Sequence, residues 1–507
     1  MHRLDIRGFY LVTSFLRPVE IKMLGTTSKH VYSNCHDFMT YLYSEYGGNK
    51  SCYKMTTTKW VLDNCDLDIL SECIHNKLAI TGVIFAKDFD RPIEALASCA
   101  NLQQITFGHY FNQPLEALIK CTNLRQITFG RGFNESIEAL SNCANLQQIT
   151  FGGRFNQPIE ALAKCTNLRQ ITFGRGFYES IEPLSNCANL QRVTFSTSFN
   201  QPIDALANCT NLRQIIFDKW SNFNQPVEAL ANCTNLRQIT FGNTFNKSID
   251  TLASCTNLQE ISVGDYFDRS IQSLAQCTNL KQISIGNSFN KSIDAFARCI
   301  NLEKISLGDS FNKSIDALPN CTNLRQIVFG NAFDRSVKPL FNCTRLEHIT
   351  FGARFNMPIN TIYKCTNLRQ INFGDGFNCP IDTLSRLKNL QQITFSPQSV
   401  FVQFISALSN CTNLKCIVFG KMFNRSIEAL ANCTSLQQIT FGESFNQPIE
   451  ALANCSNLKR LILGDNFEHS TKSLIKLHDL LINEHDEDEY EDDEYEDEYE
   501  YEDEDYY

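Results

Sequence analysis

The sequence predicts an α/β repeat solenoid, in which short strands stack into a parallel sheet. A phenylalanine recurs every 22 residues along most of the chain, with two steps of 24 residues, and each interval repeats one apolar pattern. A fixed period of about 20–50 residues is typical of solenoids rather than of several globular domains. The recurring phenylalanines are Phe89, Phe111, Phe133, Phe155, Phe177, Phe199, Phe223, Phe245, Phe267, Phe289, Phe311, Phe333, Phe355, Phe377, Phe401, Phe423, Phe445 and Phe467.

Each unit follows the pattern F-N-x-P/S-I-x-x-L-x-x-C-x-N-L-x-x-I-x-F-G-x-x, for example FNQPIEALAKCTNLRQITFGRG at 155–176. Within it, Leu168, Ile171 and Phe173 form L-x-x-I-x-F, the apolar spacing of a leucine-rich repeat strand. Because strand side chains alternate between faces, Thr172 is expected to point away from the core. Gly174 is expected to allow a tight departure from the strand.

The other half of the unit predicts a short helical turn. Ile159, Leu162 and Cys165 recur every three residues, which suits a turn with one buried face. Pro158, or Ser180 in the next unit, favours an extended approach and a helix start. One unit cannot bury both its faces alone, so neighbouring units must stack into a continuous core.

About eighteen such units predict a leucine-rich-repeat-like, curved, right-handed superhelix on the order of 85 Å long. We expect the parallel β-sheet on the concave face and the short turns outside. The expected organisation is a repeat region at 78–470, an N-terminal cap or linker at 46–77 and an F-box-like helical segment at 1–45. A C-terminal cap helix is expected at 471–483, followed by a disordered acidic tail at 484–507.

The repeat resembles that of FNIP-repeat proteins, which are found in social amoebae and giant DNA viruses. The resemblance covers about four-fifths of the chain and is carried by Phe-Asn-Gln-Pro at 111–114, 155–158, 199–202 and 445–448. The C-x-N-L-x-x-I segment is also similar to the leucine-rich repeats attached to many F-box proteins. Ordinary leucine-rich repeats have an Asn eight residues after the first strand Leu, whereas here the Asn or Asp directly follows the recurring Phe. We expect this side chain to cap backbone groups in the turn.

The N-terminal segment resembles an F-box, because Phe15-Leu16 precedes Pro18 and a second apolar stretch ends near Ser28-Lys29. The usual opening Leu-Pro is absent. The resemblance implies docking to the linker subunit of a cullin-RING ubiquitin ligase. The alternative is a helical cap in which the same side chains pack on the first repeat. The residues concerned are Leu11, Phe15, Leu16, Pro18, Ile21 and Leu24.

The two ends of the repeat region are expected to be capped by helices. Partial helical periodicity over 60–70 and the apolar run at 473–482 suggest them. Seventeen acids lie from Glu484 to Asp505, so the 38 remaining acids against 45 basic residues leave the rest of the chain at +7. This balance indicates no nucleic-acid surface. The acidic tail is interpreted mainly as solubilising, with self-association or tyrosine phosphorylation as alternatives.

Sixteen of the 22 cysteines occupy one column of the repeat. Leu387 and Leu477 replace cysteine there, which a buried apolar slot allows and a metal ligand does not. Free thiols in such number favour a reducing, intracellular compartment, the cytoplasm or a host cytoplasm if the protein is viral. We expect no cofactor, metal or catalytic group, and no membrane-spanning helix.

Sequence variation predicts where a protein partner binds. It concentrates just after the strand glycine, at one edge of the solenoid, and loops at such an edge commonly carry partner contacts. Both 24-residue units place their extra residues there, and one of them contains Trp220. An exposed Trp is enriched at interface hot spots. The predicted partner-binding residues are His109, Tyr110, Arg131, Arg154, Arg175, Trp220, Tyr266 and Arg354.

The strand face is nearly uniform and leaves two interpretations open, because amide side chains can hydrogen-bond to one another or to a ligand. Its glutamines are Gln126, Gln148, Gln170, Gln214, Gln238, Gln282, Gln326, Gln370 and Gln392. The leading hypothesis is a non-enzymatic adaptor that links a target protein to an F-box-type ubiquitin ligase. The alternatives are a solenoid scaffold without a ligase link and, more weakly, a secreted repeat adhesin.

Overall fold

The computed structural model describes residues 41–46, 49–56, 59–65, 80–475, 477 and 481–484. The F-box-like residues between Leu11 and Leu24 and the acidic tail beyond Glu484 lie outside the described residues. The chain divides into two units, Met1–Gly308 and Asp309–Tyr507, each described by itself below.

Unit 1 begins with an antiparallel arrangement of three strands, β1 to β3. β1 pairs with β2 and β2 pairs with β3, both antiparallel, and β3 then pairs parallel with β4. The parallel ladder continues from β4 to β14. The strands are β1 Tyr41–Tyr46, β2 Asn49–Thr56, β3 Lys59–Cys65, β4 Ile80–Phe85, β5 Gln104–Thr106, β6 Gln126–Thr128, β7 Gln148–Thr150, β8 Gln170–Thr172, β9 Arg192–Phe195, β10 Gln214–Phe217, β11 Gln238–Thr240, β12 Glu260–Val263, β13 Gln282–Ile285 and β14 Lys304–Leu307.

Unit 2 repeats the same parallel ladder from β15 to β22. Its strands are β15 Gln326–Phe329, β16 His348–Thr350, β17 Gln370–Phe373, β18 Gln392–Phe395, β19 Cys416–Val418, β20 Gln438–Thr440, β21 Arg460–Leu463 and β22 Leu481–Glu484. The predicted repeat solenoid with a parallel sheet is therefore confirmed in each unit.

Successive strands of both units are connected by short 3₁₀ helices. Leu162 N–H donates to Ile159 O, Cys165 N–H to Leu162 O and Leu168 N–H to Cys165 O, each at 2.9 Å. These i→i−3 bonds are those of a 3₁₀ helix, so the three-residue apolar spacing correctly predicted the turn. In unit 1 the helices are Glu94–Ser98, Glu116–Lys120, Glu138–Asn142, Glu160–Lys164, Glu182–Asn186, Asp204–Asn208, Glu228–Asn232, Asp250–Ser254, Gln272–Gln276 and Asp294–Arg298. In unit 2 they are Leu318–Asn320, Lys338–Asn342, Asn360–Lys364, Asp382–Arg386, Ser406–Asn410, Glu428–Asn432, Glu450–Asn454 and Lys472–Leu474.

The core of each repeat lies between the strand and the 3₁₀ helix. The recurring Phe and the Phe that ends the strand stack on each other, with ring centroids 4.0 Å apart for Phe107 and Phe111. Each ring also stacks on its equivalent in the next repeat, 6.0 Å away for Phe111 and Phe133. Aromatic pairs of this kind contribute about 0.5–1.5 kcal/mol beyond their area burial. The predicted core role of the phenylalanine column is confirmed.

Both predicted helical caps differ from the observed structure. Residues 59–65 form a strand where 60–70 showed partial helical periodicity. Of the expected C-terminal helix at 471–483, the structure has a 3₁₀ helix at Lys472–Leu474, and a strand at Leu481–Glu484 overlaps its end. The physical reason is that the first and last strands of a ladder carry unpaired backbone groups. A further strand satisfies those groups directly, as β22 does for β21, whereas a helix only covers them.

Candidate functional site

The most regular polar residues serve the fold. The Asn after the recurring Phe does not cap its own turn. Asn134 Oδ1 instead accepts the backbone N–H of Asn156, one repeat further on, at 2.8 Å. The Asn after the Cys donates to a carbonyl of the preceding repeat, as Asn167 Nδ2 does to Ala144 O at 3.0 Å. Both amides join neighbouring repeats, so these columns stabilise the stack.

The cysteine column is buried in the core, as predicted. Cys165 Sγ donates to Leu140 O at 3.5 Å, and the corresponding contact recurs along the column. Burial, reinforced by the neighbouring thiols Cys143 and Cys187, raises the pKa of Cys165 to about 12. A thiol with such a pKa stays protonated near neutral pH and is a poor nucleophile or metal ligand. Leu387, which replaces Cys in one repeat, is equally buried.

The loops that follow the strands, here called the strand-exit loops, stack tightly through their first residue. A Cβ at Gly152 would overlap the carbonyl of Gly130, and a Cβ at Gly174 would overlap that of Gly152. The glycine is therefore needed for close approach between repeats rather than only for the departure of its own strand. The next two positions of each loop carry the variable side chains.

Five predicted residues come together on consecutive strand-exit loops of unit 1 and form what we call the basic edge: His109, Tyr110, Arg131, Arg154 and Arg175. The loops are joined by backbone bonds, including Gly132 N–H to His109 O at 2.8 Å and Arg154 N–H to Arg131 O at 3.0 Å. Tyr110 is 57% exposed, and the three arginines are also exposed.

Arginine and glycine alternate between the two variable positions of the basic edge. Arg131 and Arg175 occupy the first position, whereas Arg154 occupies the second. Gly132, Gly153 and Gly176 hold the other position in the same three loops. The loops therefore present one arginine each, next to a residue without a side chain.

Trp220 lies in the first inserted loop and is 54% exposed. Its backbone N–H donates to Asp218 Oδ1 at 2.8 Å, and Lys219 Nζ lies 4.9 Å from the centroid of its ring. The insertion is anchored by Ser221, which is fully buried and whose Oγ accepts the N–H of Phe223 at 3.2 Å. A rigid loop thus presents an exposed Trp.

The remaining predicted residues lie elsewhere. Tyr266 is 63% exposed on a later strand-exit loop of unit 1, joined to the preceding loop through its N–H and Asn243 O at 2.9 Å. Arg354 is exposed on a strand-exit loop of unit 2. Its N–H donates to Asn331 O at 2.9 Å.

Sequence reasoning missed one exposed aromatic residue of unit 2, Phe404. Phe404 is 70% exposed beneath Arg425, whose guanidinium carbon lies 5.2 Å from the ring centroid. Val400 and Met422 are also exposed and each precedes a stacked core Phe. Phe404 occupies the Pro/Ser position of the repeat, so its departure from the consensus could have revealed it.

The glutamine column of the sheet is partly bonded internally. Gln214 Nε2 donates to Gln238 Oε1 at 2.6 Å, and Gln392 Nε2 donates to Thr394 Oγ1 within its own strand at 3.2 Å. Both kinds of bond leave donors and acceptors on the face, because each amide has more hydrogen-bonding capacity than one bond uses.

Among the residues that the structure describes, no group of three or more His, Cys, Asp or Glu is placed to hold a metal ion. Within the same residues, no helix has the length and apolarity required to cross a bilayer.

Comparison with known families gives one match. Residues 92–160, 158–247, 205–317, 273–383 and 379–478 match the BspA type leucine-rich repeat region. A search of curated proteins finds no match.

Solved structures share the fold at low sequence identity. The leucine-rich repeat protein LIC12759 of Leptospira interrogans is 13% identical, with a TM-score of 0.63, over 78% of this chain and 99% of that one. A chain of the Toll–Spätzle complex of Drosophila is 12% identical, with a TM-score of 0.58, over 90% of this chain and 66% of that one.

Proposed function

Because the chain belongs to the BspA-type leucine-rich repeat family, we propose that it is a protein-binding scaffold and not an enzyme. The observation that carries the proposal is the basic edge, where exposed Arg and Tyr side chains stand on loops locked together by backbone bonds. Rigid loops lose little conformational entropy on binding, which favours a stable complex. The Toll–Spätzle complex supports it by showing a protein complex in a structure of similar fold.

We propose that the protein target contacts the basic edge and Trp220. Aromatic and arginine side chains are enriched among the residues that dominate binding energy. Tyr266 and Arg354 would extend the contact surface of their own units. The supporting feature is the exposure of these side chains on loops joined by backbone bonds, whereas the Phe and Cys columns are buried and the Asn columns are bonded between repeats.

We further propose that the protein is a substrate-recognition adaptor of a cullin-RING ligase in a reducing, intracellular compartment. The support is the resemblance of residues 1–45 to an F-box, the FNIP-like repeat and the column of thiol side chains. Leu11, Phe15, Leu16, Pro18, Ile21 and Leu24 would contact the linker subunit. A scaffold without the ligase link is the alternative if that contact is absent.

The adaptor proposal is tested by affinity capture with the full chain, a Leu11→Glu/Leu16→Glu variant and a version lacking residues 1–45. We expect the full chain to capture the cullin-linker subunit and the two altered versions not to capture it. Failure of the full chain to recover this subunit would reject the adaptor function and leave the scaffold function untouched.

The target-binding proposal is tested with two variants, Trp220→Ala and Arg131→Gln/Arg154→Gln/Arg175→Gln. Loss of a hot-spot Trp commonly costs 2 kcal/mol or more, so about a thirtyfold loss of affinity for a captured target is expected. Tyr178→Asn is the matched control, because Tyr178 is exposed but Asn is the consensus residue at its position. Unchanged affinity in both edge variants for every captured target would refute this surface.

A further inference from the structure

The sheet face of unit 1 carries a row of arginines that the sequence reasoning did not single out. An exposed Arg directly precedes the strand in every second repeat from Arg125 to Arg213 and again in the next repeat, at Arg237, and Gln takes that position in the repeats between the first three. Arg192 adds a further exposed guanidinium at the first residue of β9. We call these residues the arginine stripe: Arg125, Arg169, Arg192, Arg213 and Arg237.

Backbone hydrogen bonds hold the stripe in register. Gln147 N–H donates to Arg125 O at 2.7 Å, and Arg169 N–H donates to Gln147 O at 2.8 Å. The same bonds continue through Gln191 and Arg213 to Arg237. With neighbouring strands about 4.8 Å apart, Arg125 and Arg169 stand about 10 Å apart along the stack.

The positive charge of the stripe is not compensated on its own face. From β5 to β11 the residues on this face are Arg, Gln, Thr and Ile216, and none of these described residues is acidic. Glu260 of β12 is the first carboxylate reached along the sheet. In unit 2 the same column is compensated, since Glu347 pairs with Arg325 and lies 3.9 Å from Arg369.

A row of acidic residues in unit 1 lies at the other side of the core. Each 3₁₀ helix from Glu94–Ser98 to Asp250–Ser254 begins with an exposed Asp or Glu. Lys120 and Lys164 end two of these helices, so the helix face carries a net negative charge and the core separates it from the positive sheet face. Such separation attracts an acidic ligand to the sheet and repels it from the helices.

We propose that this face of unit 1 binds an extended, acidic segment of a partner protein that runs along the stack. A segment in the polyproline II conformation advances about 3.1 Å per residue with about three residues per turn, so every third side chain faces the sheet and meets the next Arg of the column. Guanidinium groups bind carboxylates through paired hydrogen bonds. The Gln and Thr rows between them offer donors and acceptors to the partner backbone.

The face fits a polypeptide better than a single-stranded nucleic acid. Proteins that bind single strands without sequence preference combine basic grooves with aromatic side chains on which bases stack. The sheet face from β5 to β11 has no aromatic side chain among its outward residues. The proposal deepens the protein-binding function proposed above, on which it rests, and places the acidic segment on a surface other than the basic edge.

The test measures binding of a fluorescent peptide of about twelve residues, with Glu at every third position, to the full chain by anisotropy. The decisive variant is Arg169→Gln/Arg213→Gln/Arg237→Gln. It preserves the fold, because Gln147 and Gln191 already occupy this column. Three exposed ion pairs together account for about a tenfold change in affinity, which is the expected loss.

The matched control, Arg131→Gln/Arg154→Gln/Arg175→Gln, removes the same charge from the basic edge and should leave peptide affinity within about twofold. Equal losses of peptide affinity in both variants would show that the peptide responds only to the net charge of the protein, which would overturn the proposal. An unchanged affinity in the sheet variant, or stronger competition by a single-stranded oligonucleotide than by unlabelled peptide, would overturn it as well. Failure of the target-binding proposal would appear separately, as unchanged target capture in the basic-edge variants.

Discussion

Asn134 accepts the backbone N–H of Asn156 through Oδ1, at 2.8 Å and across 22 residues. Asn134 N–H donates in turn to Asn112 Oδ1, also at 2.8 Å. Asn134 thus joins three successive repeats, through its backbone N–H on one side and its side-chain oxygen on the other. Tyr178 and Val402 interrupt this row, because neither has a carboxamide or carboxylate to accept the next N–H.

Replacing Asn134 with Ala should destabilise the protein by about 1–3 kcal/mol, because the partly buried N–H of Asn156 loses its acceptor. Urea denaturation followed by circular dichroism measures the change. Asn134→Asp keeps the acceptor, as Asp268 does naturally for Asn290 at 3.0 Å, and should retain most of the stability. Equal losses in the two variants would argue against the hydrogen bond as the cause.

Two adjacent glycines of one strand-exit loop should differ in how much stability is lost when each is replaced with Ala. Gly152→Ala places a Cβ against the carbonyl of Gly130 and should cost several kcal/mol, since stacked backbone must move apart. Gly153→Ala meets only Arg131 Cγ, at 3.4 Å, which is ordinary contact. Thermal melts of the two variants make the comparison, and a similar melting temperature for both would contradict it.

Thiol labelling should separate the buried column from the other cysteines. Sixteen of the described cysteines are buried, whereas Cys379 and Cys416 are partly exposed. Alkylation of the native protein, followed by peptide mass spectrometry, should label Cys379 and Cys416 first and the column only on unfolding. Labelling of column peptides at the rate of the Cys416 peptide would show that the core opens readily.

Stability should fall as pH rises above about 9. Burial raises the pKa of Cys143 to about 11 and of Cys165 to about 12, from an ordinary value of 9.0. The unfolded chain therefore releases thiol protons first, so the stabilisation is complete below pH 9 and is lost between pH 9 and about 12. Urea midpoints measured across this range should decline.

A Cys165→Val/Cys187→Val variant serves as the control for the alkaline decline. It has two fewer buried thiols and should show a shallower decline, whatever its stability at neutral pH. A slope identical to that of the parent protein would assign the decline to other groups, such as lysine and tyrosine.

The repeat period, the buried columns and the short turns followed directly from the sequence. Ile159, Leu162 and Cys165 lie three residues apart, and a spacing of three suits a short helical turn with one apolar side. The exposure of Tyr110 and Trp220 was also predictable, because both depart from the apolar pattern of the repeat. The exposure of Phe404 was predictable in the same way, because it departs from the Pro/Ser consensus at its position.

Other features depended on contacts between residues that are distant in sequence. The partial helical periodicity around Trp60 gave the wrong element, because the open edge of β4 favours a pairing strand there. The role of Asn134 was assigned to its own turn, since local capping is the commoner use of such a side chain. Only the stacked structure shows that its partner is one repeat away.

The sequence by itself determined the repeating unit, its core and the residues left variable, because periodicity reports which side chains a stacked repeat must bury. The tertiary structure alone decided which variable residues share a surface. Arg131, Arg154 and Arg175 meet on adjacent loops, whereas Arg169 and Arg213 align on the sheet. The physical reason is register: a hydrogen-bonded ladder places residues about 22 positions apart side by side, and the face on which each side chain emerges depends on its place in that ladder.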